Sequence, residues 1–487
     1  MGKNELFLFI FIVAFAAALS ICAYFLNGNE KYKKILSIIF KAAAITTFSF
    51  YIIRNTLSDH FVWQINGGVY AGSRYDNHDY LQSFLRWSFL VSVCIMPVAA
   101  FYKNNTVNRL AFYVSVVNVI LTIIFYADYM KYFQRGYIDP NNVRGIVTKP
   151  WFRNFEFDVE IASMAISTLI LGFTANKKLL FSKRRDVVNF VCFLPAIFLV
   201  AIPVYLPQSL FGFTSLFMNL FSPQHFAWLG LTVILFFVIY FGFRNQSKTI
   251  KKIIVLYASL FVFQHYNSMY LMSLSAQRLP FQLCNVGSYF MLVLFIFQNK
   301  KWCQKFFDFV FIINVFGTIV ATIGFDLEEG MLSFWNIHYY LEHTWIFSIP
   351  LLMLAFGIFK LPEHHAIKHA VVGFTIYFVI CLTAGLLFNA YKYDPASRFW
   401  NRCDYFYLFN EDIVSFLKFL PFIVKHPAQL NGFYFYPLYM VVAYVAFLSG
   451  SIAWYFLDKK FYSVAKDHIE LHRMNKTFKE KKGEELC

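Results

Sequence analysis

The sequence predicts an all-α fold: a polytopic membrane helix bundle of about 13 transmembrane helices, built as two parallel six-helix repeats plus a final helix. Three observations carry this. Of 487 residues, 59% are hydrophobic and 14% charged, and the mean hydropathy is +0.53. Apolar runs of about 20 residues, enough to cross a hydrocarbon core of roughly 30 Å, recur along the whole length. Short motifs also recur in the same order in the two halves. Backbone polar groups find no water in lipid, so the runs must be helices.

The expected spans are 5–26, 34–53, 84–102, 108–128, 156–175, 185–205, 225–243, 251–271, 279–298, 304–325, 337–359, 366–390 and 433–456. The first run, ELFLFIFIVAFAAALSICAYFL, has only Lys3 ahead of it and reads as an uncleaved helix. Basic clusters follow the odd-numbered spans: Lys31, Lys33 and Lys34; Lys103 and Arg109; Lys177 to Arg185; Arg244 to Lys252; and Lys300 to Lys305. The other connectors differ. Residues 206–224 are uncharged, and 326–336 carry Asp326, Glu328 and Glu329 without a basic residue. The positive-inside rule then places the protein in the cell membrane with its N-terminus outside and the basic tail, 458–487, in the cytoplasm.

The net charge of +16 is thus explained by topology, and no nucleic-acid partner is expected. The eight cysteines form no CxxC and no even framework, which argues against a zinc module or a disulfide scaffold. No cofactor is expected.

The repeat is read from FRNFEFDVEI at 152–161 and FWNIHYYLEH at 334–343, where Phe, Asn and Glu recur in register. KKI, NVxxTI and VVxF add collinear echoes at 33 and 251, 118 and 314, and 187 and 371. The domains expected are 1–220, the first six-helix unit, and 221–457, the second unit with the final helix. Outer loops 54–83 and 129–155 are longer in the first half and are a candidate docking surface for a protein partner.

Ionisable groups inside spans are costly and mark functional sites by default, interhelical bonding being the bland alternative. His343 and Glu342 open one span, and Cys284 opens another, so these three are the catalytic candidates. His338, His265, Gln264, Gln282, Asn389, Arg278 and Arg402 are the substrate-binding candidates, with membrane lipids as the expected partner. In PEHHAIKH, His365 and His369 share a helical face, but this stretch reads as a solvated connector, and no metal is expected. EDIVSFLKFLPFIVKHP in the long loop 391–432 is too short to span and reads as an interfacial or re-entrant helix.

FSPQHFAWLG, LPFQLCNVG, HYYLEH and FNAYKYD…YFYLF, in this order over about 221–457, resemble the YwaF-like bacterial integral membrane proteins. That family is similar to the eukaryotic transmembrane protein 164 family, which resembles phospholipid acyltransferases working through a membrane cysteine and histidine. The resemblance implies a histidine role at His343. Where those relatives carry Pro-Cys-His, this sequence has Pro280, Phe281 and Gln282, so the nucleophile position is Phe281. Cys284 lies about one turn further along.

The expected function is a lipid-directed acyltransferase or hydrolase with a polar outer-leaflet cavity. Two alternatives stand beside it: a transporter or lipid flippase, since parallel repeats can rock about a site, and a membrane assembly or scaffold protein.

Overall fold

The computed structural model describes residues 3–26, 28–56, 80–125, 150–202, 218–270, 279–324, 330–332, 334–392, 403–409 and 421–484. Among them lie thirteen long helices, one in each predicted apolar run. They are α1 (Lys3–Leu26), α2 (Glu30–Thr56), α3 (Tyr80–Phe101), α4 (Asn105–Ile124), α5 (Pro150–Ala175), α6 (Arg184–Val200) and α7 (Pro223–Phe243). They continue with α8 (Lys248–Tyr270), α9 (Leu283–Ile296), α10 (Lys301–Gly324), α11 (Phe334–Ala355), α12 (Ala366–Lys392) and α13 (Pro437–Glu484).

Seven of these, α2, α4, α5, α7, α10, α12 and α13, contain segments long and apolar enough to cross a bilayer. The chain is a multi-pass membrane protein. Helices α8 and α11 are more polar, and their polar groups explain why: Gln264, His265, Asn267, Asn336, His338, Glu342 and His343 are all buried in protein rather than facing lipid.

The chain divides into two compact units. One comprises Met1–Ile296 and Ala321–Ile358, the other Phe297–Val320 and Phe359–Cys487. In the first unit α5 packs on α1, α2 and α4, while α8 is surrounded by α2, α3, α9 and α11. Every residue from Ile253 to Val262 is buried, so α8 is the unit's central post. Lipid tails are as apolar as leucine and give helices little reason to associate, so hydroxyl and amide bonds help to choose partners. Thr47 meets Ser163 at 2.7 Å between α2 and α5. Ser88 donates to Asn118 at 2.7 Å between α3 and α4, and Thr232 meets Thr344 at 2.8 Å between α7 and α11.

Local chemistry sets the helix ends. Asn104 caps α4 by accepting from the backbone of Thr106 and Val107. Ser222 caps α7, with Pro223 at its first position. Arg109, one of the basic residues that follow an odd-numbered span, is buried. It bonds Asp186 at 3.1 Å and the carbonyl of Leu180 at 3.1 Å.

In the second unit, α12 and α13 pack around the early part of α10. A π-turn interrupts α10 at Val310–Asn314, and all five of its residues are buried. Glycines admit two bulky rings: a Cβ on Gly373 would stand 2.6 Å from the Phe309 ring, and one on Gly450 would stand 2.6 Å from the Phe316 ring. Strands Ala428–Leu430 and Phe433–Phe435 form a hairpin ahead of α13. Its turn is Asn431-Gly432, with φ of 48° and 81°, the pair that tolerates such angles best. Of the predicted interfacial segment, Pro421–Val424 forms one helical turn, while 411–420 lies outside the described residues. The cores of both candidate docking loops, 57–79 and 126–149, also lie outside them.

Candidate functional site

The site is built on α11, which enters its unit with polar side chains facing neighbouring helices. Asn336 donates to the carbonyl of Gly330 at 2.8 Å and fixes the start of the helix. Two residues on, His338 Nδ1 meets His265 Nε2 of α8 at 2.7 Å. His338 Nε2 lies 3.5 Å from Glu342 Oε2, one turn further along α11. His265, His338 and Glu342 therefore form a buried line of ionisable groups that joins two helices. All three are at most 4% exposed.

The tautomers of two other histidines follow from their partners. His225 Nδ1 accepts from the backbone N–H of Phe221 at 3.0 Å, so its Nε2–H donates to the carbonyl of Thr322 at 2.8 Å. Both nitrogens are spent on backbone, and His225 is a structural staple. His343 differs. Its Nδ1–H donates to the carbonyl of Tyr339 at 2.7 Å, and the Tyr339 ring leans on the imidazole at 4.0 Å between centroids. Nε2 of the neutral ring then carries the lone pair. That atom is buried and has no hydrogen-bond partner among the described residues; the same holds for Glu342 Oε1. A lone pair held in a fixed direction, with its ring locked from behind, is the arrangement a general base requires.

Helix α9 starts at Leu283, four residues later than the expected span. Leu279 to Gln282 form a turn in which Phe281 N–H bonds the Leu279 carbonyl at 2.7 Å. The carbonyl of Gln282 then accepts from Val286 at 2.9 Å. Cys284 thus lies in the first helical turn. Its thiol donates to Asn285 Oδ1 at 3.1 Å, not to an imidazole.

Residues 220–457 match the TMEM164 family. This half of the chain is TMEM164-like. The match carries the transmembrane protein 164 side of the resemblance; the YwaF-like side rests on the short motifs alone. No curated protein and no solved structure matches the chain. The TMEM164-like segment supplies His265, Cys284, His338, Glu342 and His343, all in the first compact unit.

The other sequence candidates fall in different places. Gln264 donates to the carbonyl of Phe48 at 2.7 Å and ties α8 to α2. Asn389 lies in the second unit, where its amide makes two bonds of 2.8 Å with the backbone of Cys403. Arg278 and Arg402 lie outside the described residues.

Sequence reasoning placed Asn267 at the level of His265 without making it a candidate, and passed over Asn285 and Tyr289. The Tyr289 hydroxyl donates to Asn267 Oδ1, and Asn267 Nδ2 to the carbonyl of Phe263 at 2.6 Å. Buried amides in FQHYN and LCNVG were the available signal. Outside this site, Asp308, His365 and His369 bring three ligand atoms within 4.8 Å of one another in the second unit.

Proposed function

We propose that the TMEM164-like half is a lipid-directed acyltransferase or hydrolase, with His343 as its general base. The observation that supports this reading is the buried Nε2 of His343, aimed by the Nδ1–H bond to Tyr339. In this reading Nε2 takes the proton of an attacking thiol, water or hydroxyl while that group bonds to an ester carbonyl. The imidazolium then returns the proton to the departing lysolipid oxygen. Phe281 supplies no nucleophile at the family position. Cys284, three residues on, would take that role after its thiol turns away from Asn285; the acyl group of the thioester is then transferred to water or to a second lipid hydroxyl, and the thiol is regenerated. The substrate would enter from the outer leaflet, as the charge pattern of the connectors suggests.

The test is comparative lipidomics of cells lacking the protein, complemented with wild type, His343→Ala or Cys284→Ser. Restoration of one lipid class by wild type alone supports the reading. Full complementation by both variants sinks it.

A second reading is favoured by a separate observation. The His265–His338–Glu342 line can pass a proton in either direction, which suits a proton-coupled transporter. Proton flux in proteoliposomes that depends on His338 and not on His343 would favour transport over acyl transfer.

A further inference from the structure

We propose that Asp308, His365 and His369 form a binding site for a divalent transition-metal ion, with zinc as the type case. Asp308 comes from α10 and is 2% exposed. His365 immediately precedes α12 and His369 lies in its first turn, four residues apart, with ring centroids 5.5 Å apart. His369 Nδ1 lies 2.7 Å from Asp308 Oδ2, and the three ligand atoms all fall within 4.8 Å of one another. Ligands on a tetrahedral zinc stand roughly 3.3 Å apart, given metal–ligand bonds of about 2.0–2.1 Å. The His369–Asp308 contact therefore needs to open by only about half an ångström as the metal replaces the bridging proton.

Two imidazoles and a carboxylate are ordinary zinc ligands, and three protein ligands leave a fourth position open.

The surroundings are built for such a site. Gln304 Nε2 donates to Asp308 Oδ1 at 3.1 Å, which leaves Oδ2 for the imidazole side. Gln304 is itself fixed from two directions: its Oε1 accepts from the Lys360 N–H at 3.1 Å, and its Nε2 also reaches the Lys360 carbonyl at 3.1 Å. Glu363 Oε2 lies 3.6 Å from His365 Nδ1 and can orient that ring. Carboxylates and amides behind the ligands are the usual supports of a metal centre. Access is also present: the His365 side chain is 58% exposed, while Asp308 is enclosed. A bare structural ion pair would need only Asp308 and His369. It leaves the placement of His365 and Glu363 unexplained.

The test uses the full chain in detergent, purified on a tag free of histidine and stripped with a chelator. Zinc alone is titrated by calorimetry, and bound metal is counted by mass spectrometry. Cobalt serves as the absorbing probe of ligand geometry. One zinc per chain is expected, with cobalt bands of a low-coordinate nitrogen and oxygen site. Loss of an outer support typically weakens a site about 10–100-fold, so Gln304→Ala is expected in that range and His365→Ala at or beyond it. His365 is exposed, so its variant keeps the fold; His364→Ala, its neighbour, is expected to bind as wild type. Absence of stoichiometric zinc in the wild type overturns the site. So does wild-type binding by both His365→Ala and His369→Ala, which would leave Asp308–His369 as an anchor between helices.

Discussion

His338 and His265 are joined ring to ring at 2.7 Å, so one of the two facing nitrogens carries a hydrogen and the other does not. The pair thus has two states that differ by the position of protons. In one, His338 Nδ1 donates to His265. In the other it accepts, and His338 Nε2–H points at Glu342. Truncating His265 to alanine removes the partner of a buried nitrogen. It is expected to cost about 1–3 kcal/mol, seen as a lower melting temperature in detergent. An unchanged melting temperature would show that the ring pair contributes nothing to folding.

His343 makes the opposite prediction. Its Nε2 bonds nothing among the described residues, so its removal breaks no side-chain hydrogen bond beyond the Tyr339 contact, and its cost to the fold is that of the buried ring's packing. If it is the base, His343→Ala lowers acyl release from phospholipid in nanodiscs by about 10²–10⁴-fold. A residual rate above a tenth of wild type would rule that role out.

Asn389 is expected to act on stability. Its two bonds satisfy both polar groups of Cys403's backbone. Asn389→Leu leaves them unmet at about 1–3 kcal/mol for each buried group. Limited proteolysis should then cut the segment between Lys392 and Cys403 faster than in wild type. An identical digestion pattern would contradict this.

Gly373→Ala places a methyl against the Phe309 ring, where a Cβ would stand at 2.6 Å. Overpacking of this kind costs about 1–3 kcal/mol. Adding Phe309→Leu is expected to recover part of the loss, and a strictly additive double variant would show that the two do not meet.

The Thr232–Thr344 bond tests magnitude. It is buried and 2.8 Å long, yet hydroxyl bonds between membrane helices average only about 0.6 kcal/mol, because the separated helices also find partners. A double-mutant cycle with valines should give a coupling near that value. A coupling above about 2 kcal/mol would make this bond an exception.

The helices were legible because lipid imposes a simple rule on the sequence: apolar runs of sufficient length become helices. His338, Glu342 and His343 were legible for the same reason, as ionisable groups where lipid admits few. What the sequence did not reveal is pairing. His265 and His338 stand 73 positions apart, and periodicity within one helix says nothing of which face of another it meets. Asp308 was not among the sequence candidates, and His369 was read as part of a solvated connector; the bond between them is a product of packing. The partners of Arg109, Asp186 and the carbonyl of Leu180, lie 77 and 71 positions away and are likewise a product of packing. The late start of α9 arose because Pro280 and its neighbours form a turn that hydropathy alone does not see.

The π-turn at Val310–Asn314 makes α10 a helix with two phases. One extra residue in a turn advances every following side chain by about 100° around the axis. Asp308 lies before the turn and faces His369, and Phe316 lies after it and fits against Gly450 and Phe447. A chain shortened by one residue within 310–314 could keep either alignment but not both. This segment should therefore tolerate many exchanges of one apolar residue for another and no change at all in length.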